Sequence, residues 1–348
     1  MEDNNLDELY EDSQSEAELY EHHNIVVDKG QALIRIDKYL MGRLQNISRN
    51  KIQQAAQAGN ILVNGKSVKS NYRVHPKDEI SIVLSFPPRD KEVIPENIPL
   101  NIAYEDDDLI VVNKEAGMVV HPAYGNFTGT LVNALAYYLD VKSSDDDRIF
   151  LVHRIDKDTS GLLLVAKNEE AQTILAGNFF NHKVDRKYTA LVWGNVENDE
   201  GTIEGNIGRN LKNRLIMDVF PNGDYGKEAI THYRVLKRFY YVTLIECILE
   251  TGRTHQIRAH MKYLGHPLFN DERYGGDKIL KGTTFSKYRQ FVQNSFNICP
   301  RQALHATTLA FTHPKTKKQM HFTADLPQDM TDLVDKWDNY TKYNLNNN

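Results

Sequence analysis

The residues with the means to do chemistry gather in one run, His153-Arg154-Ile155-Asp156-Lys157-Asp158-Thr159-Ser160-Gly161. It mixes acids, bases and an imidazole, yet Phe150-Leu151-Val152 precedes it and Leu162-Leu163-Leu164-Val165 follows. Apolar runs of that length, punctuated by glycine, are buried-strand candidates. A carboxylate with cationic neighbours therefore stands between two pieces of core, and burying charge is costly unless it is paired or hydrogen-bonded. Asp156 in such a place can act as nucleophile, as base or as stabiliser of positive charge. An arginine beside it would favour its ionised form. Arg154 shares a face with Asp156 if the backbone is extended. The competing reading is a solvated turn in which Arg154 pairs with Asp158.

Other chemistries fit the residues less well. His255 and His260 are five apart, not the four that align two ligands in His-Glu-x-x-His sites. Cys247 and Cys299 are the only cysteines, too few for a four-cysteine zinc site or a disulfide framework, and they suit a reducing cytoplasm. Asp156 and Asp158 stand two apart, whereas a glycosidase pair needs about 5 Å or more and usually comes from different elements. No glycine loop is shaped to cradle phosphate. The expectation is neither metal nor cofactor.

Elements must hold these groups in place. Strands are predicted at 102–104, 109–113, 184–193, 231–237, 241–249, 303–311 and 319–322, and helices at 131–139, 168–180, 253–264 and 326–337, with a loop at 143–147. Strands arrive consecutively with few helices between them, so the expected class is α+β with a mixed, largely antiparallel sheet. The 348 residues suffice for two domains. An apolar fraction of 41% and a charged fraction of 26% are those of a soluble globular protein. No apolar run approaches the ~20 residues that span a bilayer, and no secretory signal opens the chain. A cytoplasmic monomer without membrane contact is expected.

The net charge of −5 conceals an asymmetry. Residues 1–23 hold nine Asp or Glu and no Lys or Arg, so the rest of the chain carries +4. Residues 1–28 are expected to form a disordered acidic tail. Residues 29–77 contain ten Lys or Arg and one acid, Asp37. Ile34, Ile36, Tyr39, Leu40 and Leu44 give a first helix one apolar face. Ser48 is placed to cap a second helix over 49–58 and Gly59 to end it. Ile61-Leu62-Val63 then enters a tight turn at Asn64-Gly65. Two helices and a hairpin over 29–86, with Arg35, Lys38, Arg49, Lys51 and Lys66 among the basic residues, form a footprint for a phosphate backbone. A proline-bearing linker over 87–100 leads to a catalytic domain over 101–340, and 341–348 are expected to fray.

The run from His153 to Leu164 resembles the signature of the RluA-type RNA pseudouridine synthases, in which the first aspartate, here Asp156, is catalytic. Lys114-Glu115-Ala116-Gly117-Met118-Val119-Val120-His121-Pro122 resembles a second stretch of that family, with Glu115 where proline is usual. Lys187-Tyr188-Thr189-Ala190-Leu191-Val192-Trp193-Gly194, Thr251-Gly252-Arg253-Thr254-His255-Gln256-Ile257-Arg258 and Arg301-Gln302-Ala303-Leu304-His305-Ala306 fit further motifs in order. Within the basic segment, Arg35-Ile36-Asp37-Lys38-Tyr39-Leu40 and Ser48-Arg49-Asn50-Lys51-Ile52 resemble an S4 RNA-binding domain, and so do the residues from Gly59 to Lys66 and from Pro76 to Ile80. Together the likeness spans about residues 31–325.

It implies cleavage of the uridine N1–C1′ bond and rejoining through C5, on RNA that is expected to be large-subunit ribosomal RNA or pre-ribosomal particles. It implies that Tyr188 lies against the uracil, that Leu304 lines the uracil pocket and that Arg154 stacks where the displaced base was. An arginine of the Thr251–Arg258 motif pairs with Asp156; Arg258 is preferred, and Arg253 is then a substrate contact. Read from residues alone, Tyr188 and Leu304 are ordinary core and the arginines ordinary helix charge. The rivals are an RNA-binding ribosome assembly factor with an inactive synthase domain, and a carboxylate-pair hydrolase of nucleosides or glycans.

Overall fold

The computed structural model describes residues 20–44, 49–84, 93–122, 126–141, 149–213 and 216–347. It divides into two units, Met1–Lys91 and Glu92–Asn348. In the first, β1 (Tyr20–Val26), α1 (Ile36–Met41), α2 (Arg49–Gln57), β2 (Ile61–Val63), β3 (Lys66–Ser67) and β4 (Glu79–Leu84) follow one another. The strands form an antiparallel sheet in the order β1-β4-β2-β3. Asn64 and Gly65 both have positive φ, 50° and 76°, the backbone a two-residue hairpin turn demands. Val27, Ile36, Leu40, Ile61, Val74 and Ile80 close the core.

One expectation for this unit changes. Residues 20–26 are not tail but an edge strand on β4. Ladder hydrogen bonds come from the backbone, and an edge tolerates polar side chains, so Glu21-His22-His23-Asn24, directly after an acidic stretch, hid the strand. Val27, which follows it, is 1% exposed. Residues 1–19, the proposed cap Ser48 and the side chain of Lys51 lie outside the described residues, as does residues 87–92 of the linker.

The second unit is built on a ten-stranded sheet. Its strands are β5 (Ile102–Glu105), β6 (Leu109–Lys114), β7 (Phe150–Leu151), β8 (Ser160–Ala166), β9 (Asp185–Trp193), β10 (Glu200–Glu204), β13 (Ile230–Phe239), β14 (Val242–Leu249), β15 (Leu304–Thr312) and β16 (Gln319–Thr323); β11 (Asn206–Arg209) and β12 (Met217–Phe220) make a separate hairpin. The path runs β10-β13-β14-β9-β15-β8-β6-β5, with β16 on β15 and β7 on β8. Among the described residues only β15 and β8 pair in parallel, so the sheet is mixed and largely antiparallel. Helices α3 (Leu131–Tyr138), α4 (Glu169–Phe180), α5 (Gln256–Tyr263), α6 (Ser286–Ile298) and α7 (Gln328–Asn347) flank it. No helix among the described residues is long and apolar enough to cross a membrane.

Three boundaries differ from the sequence reading. Residues 93–100 belong to this unit rather than to a linker: Val93 is buried with Val132 and Ala136 of α3, and the Asn133 amide donates to the Ile94 carbonyl at 2.8 Å. Residues 341–347 continue α7 instead of fraying. Helix α5 starts at Gln256, not 253, because the Gln256 side chain closes the preceding turn by accepting from the Arg253 amide at 2.9 Å. The expected loop at 143–147 lies outside the described residues.

The central polar run ends where β8 meets β15. Gly161 has φ +112°, and a Cβ there would lie 2.3 Å from the Ala306 carbonyl oxygen. Only glycine lets the two backbones approach so closely. Gly161→Ala should therefore lose about 1–3 kcal/mol from backbone strain alone, with more from displacing β15. Thermal unfolding would show a lowered midpoint; an unchanged midpoint would mean that the approach is not tight.

Candidate active site

Asp156 sits in the loop between β7 and β8, and that loop is held from behind. Ile155 is 5% exposed and packs in the main core. The ammonium of Lys114, 1% exposed at the end of β6, donates to the carbonyls of Glu115, Met118 and Lys157 at 2.6, 2.9 and 3.0 Å. Burial pulls Lys114 down to about 7, against the attraction of Asp158 and Asp156. The Arg301 guanidinium, fixed by Asp329, reaches the Asp158 carbonyl at 3.0 Å. These anchors seize main-chain oxygens, so residue 115 need not be proline for its carbonyl to serve.

The other groups converge from separate elements. Arg258 lies on α5, whose Ile257 and Met261 enter the main core. Its Nη1 donates to Asp156 Oδ2 at 3.0 Å, while Nε and Nη2 grip both oxygens of Asp271 at 2.7 and 2.8 Å. Arg258 is 5% exposed and Asp271 fully buried. Burial opposes the Arg258 charge, but Asp271 and then Asp156 lift its pKa above the ordinary arginine value. His255 Nε2 stands 4.0 Å from the same Asp156 oxygen, and its Nδ1 is 3.0 Å from the Tyr274 hydroxyl. Burial lowers His255 to about 4, so the ring is neutral at pH 7.

All of this opens on a cavity of about 610 Å³ lined by Arg154, Asp156, Tyr188, Arg253, Arg258 and Leu304, among others. That volume is within the range of small-ligand sites. Tyr188 on β9 is 7% exposed and Leu304, the first residue of β15, 4%; both belong to the main core and also face the cavity. Burial raises the Tyr188 pKa, with Arg186 opposing, leaving a neutral phenol at pH 7. Arg154 is exposed, and among the described residues it forms no ion pair with Asp158. Arg253 donates to the Glu228 carbonyl at 2.8 Å rather than to Asp156. The pairing left open by the sequence thus falls to Arg258. A different cluster, Asp106, Asp108 and His313, has ligand atoms within metal-binding distance of one another. There, however, Asp106 already accepts from Tyr104, His313 and two backbone amides.

Comparison with known proteins agrees with this geometry. Residues 108–263 match the model of the RNA pseudouridylate synthase family and 34–80 that of the S4 domain. An uncharacterized RNA pseudouridine synthase of Chlorobaculum parvum is 49% identical, over 89% of this chain and 96% of the relative. The chain belongs to the RNA pseudouridine synthase family. It is an isomerase of RNA, and its substrate is RNA. Ribosomal large subunit pseudouridine synthase D of Buchnera aphidicola is 42% identical, over 86% of this chain and 92% of its own length. The solved structure of human RNA Pseudouridylate Synthase Domain Containing 1 superposes with a TM-score of 0.50 at 25% identity, over 70% of this chain and 96% of that one.

Sequence reasoning missed several parts of the synthase site. Asp271 follows the apolar Leu268-Phe269, and a fully buried acid requires a partner, but its burial was not legible. Arg186 stands two residues before Tyr188, and the period-2 rule for strands would have flagged it. In the S4 unit, Arg35 and Arg49 do not stand free. Both chelate the buried Asp37, with Gln53 adding a bond of 2.8 Å. Burial works against that carboxylate, but the bonds from Arg35, Gln53 and Arg49 hold it well below the usual range. Lys38 and Lys66 are exposed.

The two motif arginines should separate cleanly on substitution. Arg258→Met leaves Asp271 buried without its cation, a loss of about 3–5 kcal/mol, together with turnover. Arg253→Met spares both carboxylates and should weaken substrate binding while the melting temperature holds. Calorimetry with steady-state kinetics distinguishes them; equal stabilities would deny the buried pair its role.

Proposed function

We propose that this synthase isomerises specific uridines of large-subunit ribosomal RNA, free or in pre-ribosomal particles, with Asp156 as the catalytic carboxylate. The observation that carries the reading is the single cavity shared by Asp156, Tyr188 and Leu304, with Arg258 bonded to Asp156 behind it. A uracil in a folded RNA must leave its stack to enter such a cavity. Arg154, exposed at the cavity wall and without an ion pair among the described residues, has the planar cation to stack in the vacated place or to contact phosphate. Tyr188 offers the aromatic face and a neutral hydroxyl, Leu304 an apolar wall. The N1–C1′ bond breaks, the uracil turns, C5 bonds to C1′, and the C5 proton is lost as N1 gains one; the product is an isomer and no redox partner or energy source enters.

The ribosomal substrate is supported by the likeness to ribosomal large subunit pseudouridine synthase D of Buchnera aphidicola and by the exposed lysines of the S4 unit. A cytoplasmic monomer remains part of the proposal, and the two buried free cysteines fit a reducing compartment. The inactive assembly factor is less well supported, because Asp156, Tyr188 and Arg258 stand together in one site.

Pseudouridine mapping of cellular RNA with and without the gene tests the substrate. Defined large-subunit positions should lose modification; loss in transfer RNA instead would move the substrate, and an unchanged map would contradict the proposal. For the S4 unit, Lys38→Glu with Lys66→Glu should weaken RNA binding and reduce the salt slope by up to about 2, near 0.9 for each phosphate contact. Arg49→Glu should first lower the stability of that unit, because it opens the Asp37 network.

A further inference from the structure

One buried cation of the cavity has no counter-charge among the described residues. Arg186 on β9 is 8% exposed and lines the cavity. Its Nε is buried with no hydrogen-bond partner, and among the described residues its guanidinium forms no ion pair. Two other arginines of this unit with enclosed side chains are built differently: Arg258 is gripped by Asp271 and Asp156, and Arg301 by Asp329. A buried, permanently charged group without a partner is costly, and folding alone supplies no reason to keep one.

The surroundings are nonetheless shaped to hold it. Its guanidinium carbon lies 5.3 Å from the ring centroid of Phe179 at the end of α4. Gly252 also leaves room for it, because a Cβ there would lie 2.6 Å from Arg186 Nη1. An aromatic platform and a glycine gap thus position the fork toward the cavity. Tyr188 is two strand residues away on the same face, about 6.6 Å along the strand, which is the scale of the separation between a nucleotide's base and its phosphate. Phe180, 82% exposed, also borders this part of the cavity.

We propose that Arg186 is a substrate-binding residue whose guanidinium takes a phosphodiester adjoining the target uridine, completing its missing counter-charge only when RNA is bound. The proposal rests on RNA isomerisation at this site and assigns the backbone subsite next to the uracil. The phosphodiesters are the only anionic groups of an RNA chain, and a planar fork suits two of their oxygens. Arg186 would then help to hold the extruded nucleotide while its base is detached and turned.

The experiment uses full-length protein and an RNA fragment carrying a mapped target uridine, made with ordinary linkages or with an uncharged methylphosphonate on the 5′ or the 3′ side of that uridine. Pseudouridine formation by wild type on the ordinary RNA tests the functional reading separately; without it, that reading fails whatever Arg186 does. Dissociation constants and single-turnover rates are then measured for wild type, Arg186→Met and Arg186→Lys. Arg186→Met should lose about 10- to 100-fold in binding or rate, the scale of a charge-assisted hydrogen bond, and Arg186→Lys should recover part of the loss. One of the two methylphosphonates should cost wild type a similar factor and cost Arg186→Met little more, since partners in contact are not additive. The melting temperature of Arg186→Met should hold or rise, because an uncompensated buried charge has gone. An unchanged Arg186→Met would overturn the proposal. So would losses that multiply at both linkages, which point to a contact with the uracil, or a fall in melting temperature accounting for the lost activity, which points to a structural role against Phe179.

Discussion

Everything at the centre of this synthase depends on one guanidinium shared by two carboxylates. Arg258 spends two of its donors on Asp271, at 2.7 and 2.8 Å, and one on Asp156, at 3.0 Å. The division is unequal in exposure as well. Asp271 is sealed, whereas the Asp156 side chain keeps 19% of its surface. One acid therefore balances the buried cation, which leaves the other acid positioned but not consumed. A lone Asp156–Arg258 pair would trade that availability for pairing strength. Tyr274 extends the arrangement, with the Arg258 guanidinium carbon 4.9 Å from its ring centroid and its hydroxyl meeting His255.

The fold exists to bring such groups from distant parts of the chain to one rim. Asp156 and Arg258 are 102 residues apart, and a third element, β9, brings Tyr188 and Arg186. The parallel contact of β15 with β8 is the joint: it places Leu304 beside the start of β8, immediately after the loop that carries Asp156. Lys114 and Arg301 then secure the loop by its carbonyls. The same device recurs on a smaller scale in the S4 unit, where Asp37 organises Arg35, Arg49 and Gln53 around one buried carboxylate. In both places a sealed acid orders the arginines, and their remaining surface is what a polyanion can meet.

Much of this was legible in the sequence because period and punctuation carry it. Apolar strands such as 109–113 and 241–249 were found within a residue or two, and the consecutive strands pointed to a largely antiparallel sheet. The motif order placed Asp156, Tyr188, Arg258 and Leu304 in one site, and the structure brings all of them to one cavity. What was missed was set by tertiary context. Strand β1 is mostly polar and directly follows an acidic stretch, so it reads as tail. Helix α6 carries its apolar residues Tyr288, Val292 and Phe296 at helical spacing, yet polar residues between them masked it. Strands β10 to β12 are short and interrupted by Gly201, Gly205 and Gly208. Asp271 and Arg186 look like surface charge until burial is known, and the roles of Arg35 and Arg49 depend on Asp37 being sealed beneath them.

The most direct test of the account is single-turnover pseudouridine formation by Asp156→Asn, with RNA affinity measured on the same preparation. The amide is nearly isosteric, so the cavity and the Arg258–Asp271 pair should persist and binding should stay close to that of the wild type. Loss of an essential covalent or proton-transfer group costs orders of magnitude in rate, so no pseudouridine should be detectable. Conversion at the wild-type rate would contradict the assignment of Asp156, and with it the reason for the shared guanidinium.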